Sequence, residues 1–328
     1  MPNDDRDPWG AELSREIARS APGRAMAGVY SAVPPPVTDS DPSEEGAEED
    51  TPAVPVRRRL SVAVAGFAAL LAVGLILGAQ TTGPDARVPY AIVVFGVQLL
   101  FVLAWTMAIR PPAPAVVAGI CVAAGLVADY TAVTSDADSL VPLVYVAGGA
   151  LVAAVAVQGV RAADRQRARD SVGATLLLVL GVVAFASLIV LTRKPIGTQA
   201  VMVCLAAAGV AVVAARLTDA VFAKPRIAPQ VARGGAGIVL GAMLGTLAAA
   251  GLGSVLVLPF TPAKGAVLGL VAAAIAVLVD LAVNYAEAGR SMAGAAPTFW
   301  VARHMQGPLG AFAATAPTAY ALTVFYLS

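Results

Sequence analysis

Asp280, Asn284 and Glu287 stand four and three residues apart in the run Ala276-Val-Leu-Val-Asp-Leu-Ala-Val-Asn-Tyr-Ala-Glu287. On an α-helix these spacings place all three on one face, and Arg290 continues that line one turn later. Two carboxylates and an amide in a row offer oxygen ligands to a hard cation, or stations for a proton relay. Tyr285 can line the same mouth. Of the acids, Asp280 alone reads as lying well within an apolar span, where an ionisable group is costly and therefore a functional suspect. The competing reading is structural: a neighbouring helix neutralises Asp280, and Glu287 and Arg290 are solvated at the interface.

Other chemistry is sparse. The chain has no Gly-x-x-x-x-Gly-Lys-Ser/Thr phosphate loop, no His-Glu-x-x-His and no Cys-x-x-Cys. Its one histidine, His304, reads as an interfacial residue beside Arg303 and cannot build a metal cluster. Cys121 and Cys204 each lie in an apolar run, where a thiol behaves as a small hydrophobe. No catalytic residue, resident metal or cofactor is expected, and no nucleic-acid partner.

The elements that position these residues are membrane helices. The 328 residues are 58 % hydrophobic and 13 % charged, with mean hydropathy +0.78, against about 45–50 % and about 25 % in soluble proteins. Apolar stretches near the ~20-residue length of a bilayer span occur at 60–80, 88–109, 113–131, 139–160, 171–192, 196–216, 235–258, 265–286 and 307–327. This predicts an all-α polytopic protein of about nine transmembrane helices. From Arg57 onward, fourteen basic residues fall in the segments on the side of the N-terminus and four on the other, so the positive-inside rule sets the N-terminus in and the C-terminus out. Gly237, Gly241, Gly245, Ala249 and Gly253 give one span a small-residue face suited to close helix contact, internal or dimeric, with internal packing favoured.

Residues 1–56 form a separate region. Up to residue 59 the chain holds twelve acids and seven arginines, leaving nine acids and fifteen bases for the remainder. The segment is rich in Pro, Asp, Glu and Ser and is expected to be a disordered acidic cytoplasmic tail. Trp9, Leu13 and Ile17 recur at helical spacing within it, and no signal-peptide apolar region precedes residue 60. The domain division is therefore 1–56 and a membrane domain at 57–328.

The loop Phe222-Ala-Lys-Pro-Arg-Ile-Ala-Pro-Gln-Val-Ala-Arg-Gly-Gly235 supplies three loop cations, Lys224, Arg226 and Arg233. With Phe222 and Pro229, the glycine-spaced helix from Gly237, Thr261-Pro262, Val279-Asp-Leu281 and Pro317-Thr-Ala319, it makes residues 222–328 resemble the phosphatidate cytidylyltransferases (CDP-diacylglycerol synthases), particularly their actinobacterial branch. The resemblance implies a bacterial plasma-membrane protein of phospholipid biosynthesis. Family members join CTP to phosphatidate with Mg2+, and their loop carries Lys-Lys-Ser-Trp-Glu-Gly where this chain has Gln230-Val-Ala-Arg-Gly-Gly235. Further on, the family's Glu and Ser correspond to Val283 and Asn284, and its Lys-Arg-Asp to Glu287-Ala-Gly289. The family's metal-binding aspartates and arginine correspond to Gly310, Ala313 and Ala311, with His304 one position out of register. Asp280 is then the single acid carried over from the metal-binding region, and one carboxylate does not make a two-metal site.

These observations predict a non-catalytic paralogue or partner protein in the membrane, contacting the bilayer and pairing with another membrane protein or a second copy through the glycine face and the acidic tail. Two alternatives stay open. One is an active phosphatidate cytidylyltransferase with Mg2+ and relocated acids, drawn from Asp129, Asp219, Asp280 and Glu287; Asp129 is expected on the outer side and apart from the rest. The other is a small ion- or proton-coupled transporter using the Asp280 face.

Overall fold

A backbone inside hydrocarbon must satisfy its own hydrogen bonds, and long Ala-, Val-, Leu- and Gly-rich runs do so as helices. The computed structural model describes residues 57–81, 87–135, 139–161, 165–222, 224–294 and 299–327. The acidic tail and its Trp9-Leu13-Ile17 pattern lie outside the described residues. The elements are α1 (Arg58–Gln80), α2 (Val88–Ile109), α3 (Pro114–Thr134), α4 (Val141–Arg161), α5 (Arg165–Leu191), α6 (Gly197–Val221), α7 (Gly235–Val255), α8 (Pro262–Met292) and α9 (Trp300–Leu322), followed by a π-helical turn at Thr323–Leu327. No strand occurs among the described residues, only an isolated antiparallel bridge between Arg226 and Gly234. The protein is an all-α polytopic membrane protein.

Sequence punctuation sets several helix ends. Proline occupies the first turn of α2, α3 and α8, where its missing N–H costs nothing. Thr261 caps α8 by accepting from the Lys264 backbone N–H at 3.2 Å. Between α2 and α3, Arg110 adopts a left-handed conformation (φ 52°) and Pro111-Pro112 follows, which stops α2 and reverses the chain.

Eight of the helices are long and apolar enough to cross a membrane, α9 being the exception. It carries Arg303, His304 and Gln306, with Pro308 and Pro317 in its interior. Its residues from Gln306 to Ala313 are all buried, against α8, α5, α2, α6 and α1. A helix enclosed by other helices needs no lipophilic outer surface, which is why its sequence is poorer in large apolar residues.

Several boundaries differ from the hydropathy pattern. Helix α5 starts at Arg165 rather than 171, α6 continues to Val221 and α8 to Met292, while α9 starts at Trp300. Each extension adds polar residues that hydropathy counts as loop. At 31 residues, α8 is about 46 Å long against a hydrocarbon core of about 30 Å, so it projects from the bilayer. Helix α3 runs unbroken through Asp129 to Thr134. Asp280 is therefore not alone: Asp129 and Asp219 are also buried within helices.

Helix α7 buries only Gly237, Gly241, Gly245, Ala249 and Gly253. A Cβ on Gly245 would come within 2.5 Å of the Ala207 carbonyl oxygen on α6 and 2.8 Å of Ala273 on α8. The stripe is thus occupied inside the chain by α6 and α8. It is not free to hold a partner, which corrects the expectation of pairing through that face.

The charged ends gather on one face of the bundle. Ser61 at the start of α1 donates to the Arg216 carbonyl near the end of α6 at 2.6 Å. Arg290 on α8 donates through Nη1 to the Ala108 carbonyl at the end of α2, also at 2.6 Å.

Candidate functional site

Four elements converge at that charged end. The last turns of α6 carry Arg216 and Asp219, three residues apart, and α8 brings Asp280, about 27 Å along its axis from Pro262. The loop between α6 and α7 folds back on itself: Ile227 N–H donates to the Arg233 carbonyl at 3.2 Å and Gly235 N–H to the Pro225 carbonyl at 3.1 Å. This small reverse turn directs Arg233 inward. Its side chain is fully buried, unlike exposed Lys224 and half-buried Arg226 in the same loop.

The result is an alternating chain of charges. Arg216 Nη2 pairs with Asp280 Oδ1. Arg233 Nη2 lies 2.6 Å from Asp280 Oδ2, and its Nη1 donates to Asp219 Oδ2 at 2.7 Å. Gly234 N–H completes the line by donating to Asp219 Oδ1 at 2.9 Å. Two guanidiniums and two carboxylates sum to zero, as a group so thoroughly removed from water requires. Burial lowers the proton affinity of Arg233, and Asp280 is the strongest influence restoring it; Arg216 opposes and Asp219 supports. Gly307 on α9 closes the site, since a Cβ there would overlap the Asp280 carboxylate.

The polar face on α8 is divided among separate partners. Asp280 belongs to the ion-pair chain. Asn284 Nδ2 donates back to the Asp280 backbone carbonyl. Glu287 pairs with Arg290 Nη2 through Oε2, and with Arg303 Nε at 3.0 Å through Oε1. The three side chains share a helix face without converging on a cavity. His304 stacks edge-on to Trp300, with ring centroids 6.1 Å apart.

A second buried carboxyl lies in a different region. Gln98 on α2 donates through Nε2 to Asp129 Oδ1 on α3 at 2.8 Å and to the Val182 carbonyl on α5 at 3.0 Å. Asp129 Oδ2 and Gln98 Oε1 are buried without a hydrogen-bond partner among the described residues. Asp129 stays apart from Asp219, Asp280 and Glu287.

The donor set does not fit Mg2+. All four carboxylate oxygens of Asp219 and Asp280 face a guanidinium or a backbone N–H, and a divalent ion would have to displace an arginine. No group of three or more His, Cys, Asp or Glu residues suited to a metal occurs among the described residues. Two members of the chain of pairs were hidden from span counting, because Arg216 is the last residue of the apolar run at 196–216 and Asp219 falls beyond it. Their i, i+3 spacing at its end was the available signal. No protein-family model matches the chain, and neither a curated protein nor a solved structure matches it.

Proposed function

We propose that this chain is a non-catalytic bacterial plasma-membrane protein, derived from the CDP-diacylglycerol synthases and acting as a partner protein in the membrane. The observation that carries this reading is that every carboxylate oxygen of Asp219 and Asp280 lies against an arginine or a backbone N–H, three by hydrogen bonds and Asp280 Oδ2 by its ion pair with Arg233. Phosphoryl and nucleotidyl transfer need metal ions and free cations to hold developing charge. Here the acids and the arginines neutralise one another, so the cluster works as a clamp that fixes α6, α8 and the 222–235 loop beside α9. The same engagement argues against cation transport along the Asp280 face, because a transported ion needs oxygens that can exchange partners. The clustering of basic residues at one end orients that end to the cytosol.

The experiment is direct. Purified protein in lipid nanodiscs, supplied with CTP, phosphatidate and Mg2+, is expected to form no CDP-diacylglycerol above a protein-free control. Turnover abolished by Asp280→Asn would overturn the proposal.

A further inference from the structure

A groove of about 540 Å³ opens on the flank of the bundle formed by α2, α4, α5, α8 and α9. Small residues line it, Gly181 and Ala184 on α5 and Gly310 and Ala314 on α9; Gly181 and Gly310 let the Phe101 and Trp105 rings lie close against their helices as the groove's inner wall. Its rim includes Val144 and Leu180, 65 % and 52 % exposed, so it opens onto the surface that the bilayer covers. An apolar cavity does not hold water, and the only fluid at this opening is hydrocarbon.

Two further observations say what the occupant carries. The wall includes half-buried Trp105, whose indole Nε1–H is buried and has no acceptor among the described residues. A buried indole N–H normally finds a partner, and an apolar groove supplies none from the protein. Trp105 lies four residues before the end of α2, about 6 Å from the membrane surface end of that helix, the depth at which aromatic side chains meet the polar boundary of a bilayer. One turn beyond it, the Ala108 carbonyl holds Arg290, which with Glu287 and Arg303 forms a trio of net charge +1. Along α5 the lining extends from Leu177 to Ser187, about 15 Å and half the hydrocarbon thickness.

We propose that the groove seats one acyl chain of a membrane glycerophospholipid as a resident, unreacted ligand. The ester carbonyl of that chain accepts from Trp105 Nε1, and the anionic phosphate lies toward Arg290 and Arg303. This inference does not depend on descent from any enzyme family.

The test uses the full-length chain with Trp9→Phe and Trp300→Phe, leaving Trp105 as the single fluorophore, delipidated in detergent and titrated with phosphatidylglycerol brominated on its acyl chains. The expected result is saturable quenching at about one lipid per chain, reversed by unbrominated phosphatidylglycerol. Ala314→Phe, which fills the groove, should abolish it. If that variant does not fold, Val144→Phe closes the groove from its exposed rim and should weaken binding at least tenfold. Arg303→Gln should weaken binding severalfold. Quenching that fails to saturate, or that survives the groove-filling change in folded protein, would overturn the proposal. So would equal quenching by brominated free fatty acid, which has no glycerophosphate. Enzymatic inactivity has no bearing on these readings.

Discussion

Asp280 and Asp129 are both carboxyls enclosed by membrane helices, and the bundle accommodates them by opposite means. Asp280 is 0 % exposed and keeps its charge because Arg216 and Arg233 each take one of its oxygens. Asp129 is 5 % exposed and faces a single amide donor, Gln98, with no ion pair among the described residues. A charge held by one amide in a low-dielectric interior is uncompensated, so Asp129 lacks the balance that two arginines give Asp280. The difference lies in position. Asp280 is near the charged end, where long arginine side chains reach inward from helix termini and a loop. Asp129 sits among α2, α3 and α5, beyond their reach. Buried acids of similar accessibility thus serve as an electrostatic clamp in one place and a hydrogen-bonded polar contact in the other.

Neutral substitution breaks the comparison most sharply. Asp280→Asn leaves two buried guanidiniums facing no carboxylate at that point, and should destabilise the protein by about 3–5 kcal/mol, read as a large fall in thermal midpoint by circular dichroism in detergent. An unchanged midpoint would show that the chain of pairs is not a clamp. Next in size is Gly307→Val, which pushes a branched side chain into the Asp280 carboxylate and should cost about 1–3 kcal/mol; the same substitution at Gly66, where a Cβ meets nothing within 4 Å, should be far milder.

Asp129→Asn should cost less than about 1 kcal/mol by the same thermal midpoint, since an amide of the same shape can still accept from Gln98 through its oxygen. The smallest effect belongs to Glu287→Gln, whose partners Arg290 and Arg303 are partly solvated: about 0–1 kcal/mol, with a measurable dependence on salt only in the unsubstituted chain.

Much of this was legible in the residues. Apolar runs of bilayer length specified a helical membrane protein because a spanning backbone has few other ways to satisfy its hydrogen bonds. The four-residue glycine spacing marked the contact face of α7, since periodicity is a local property of the helix. Asp280 stood out as a costly group in an apolar run. What it meets did not, because Arg216 and Arg233 lie 64 and 47 positions away in the chain and only the loop reversal at 225–235 turns Arg233 inward. Hydropathy marked α9 only from 307 and as one more span, missing its polar first turns and its burial among other helices, because composition reports polarity and not enclosure. Helix content, the number of spans and the polar positions are thus written locally. Whether a carboxylate binds a cation, holds a proton or clamps two arginines depends on charges brought from distant segments, and the tertiary structure alone decides it, through the steep cost of leaving a buried charge uncompensated.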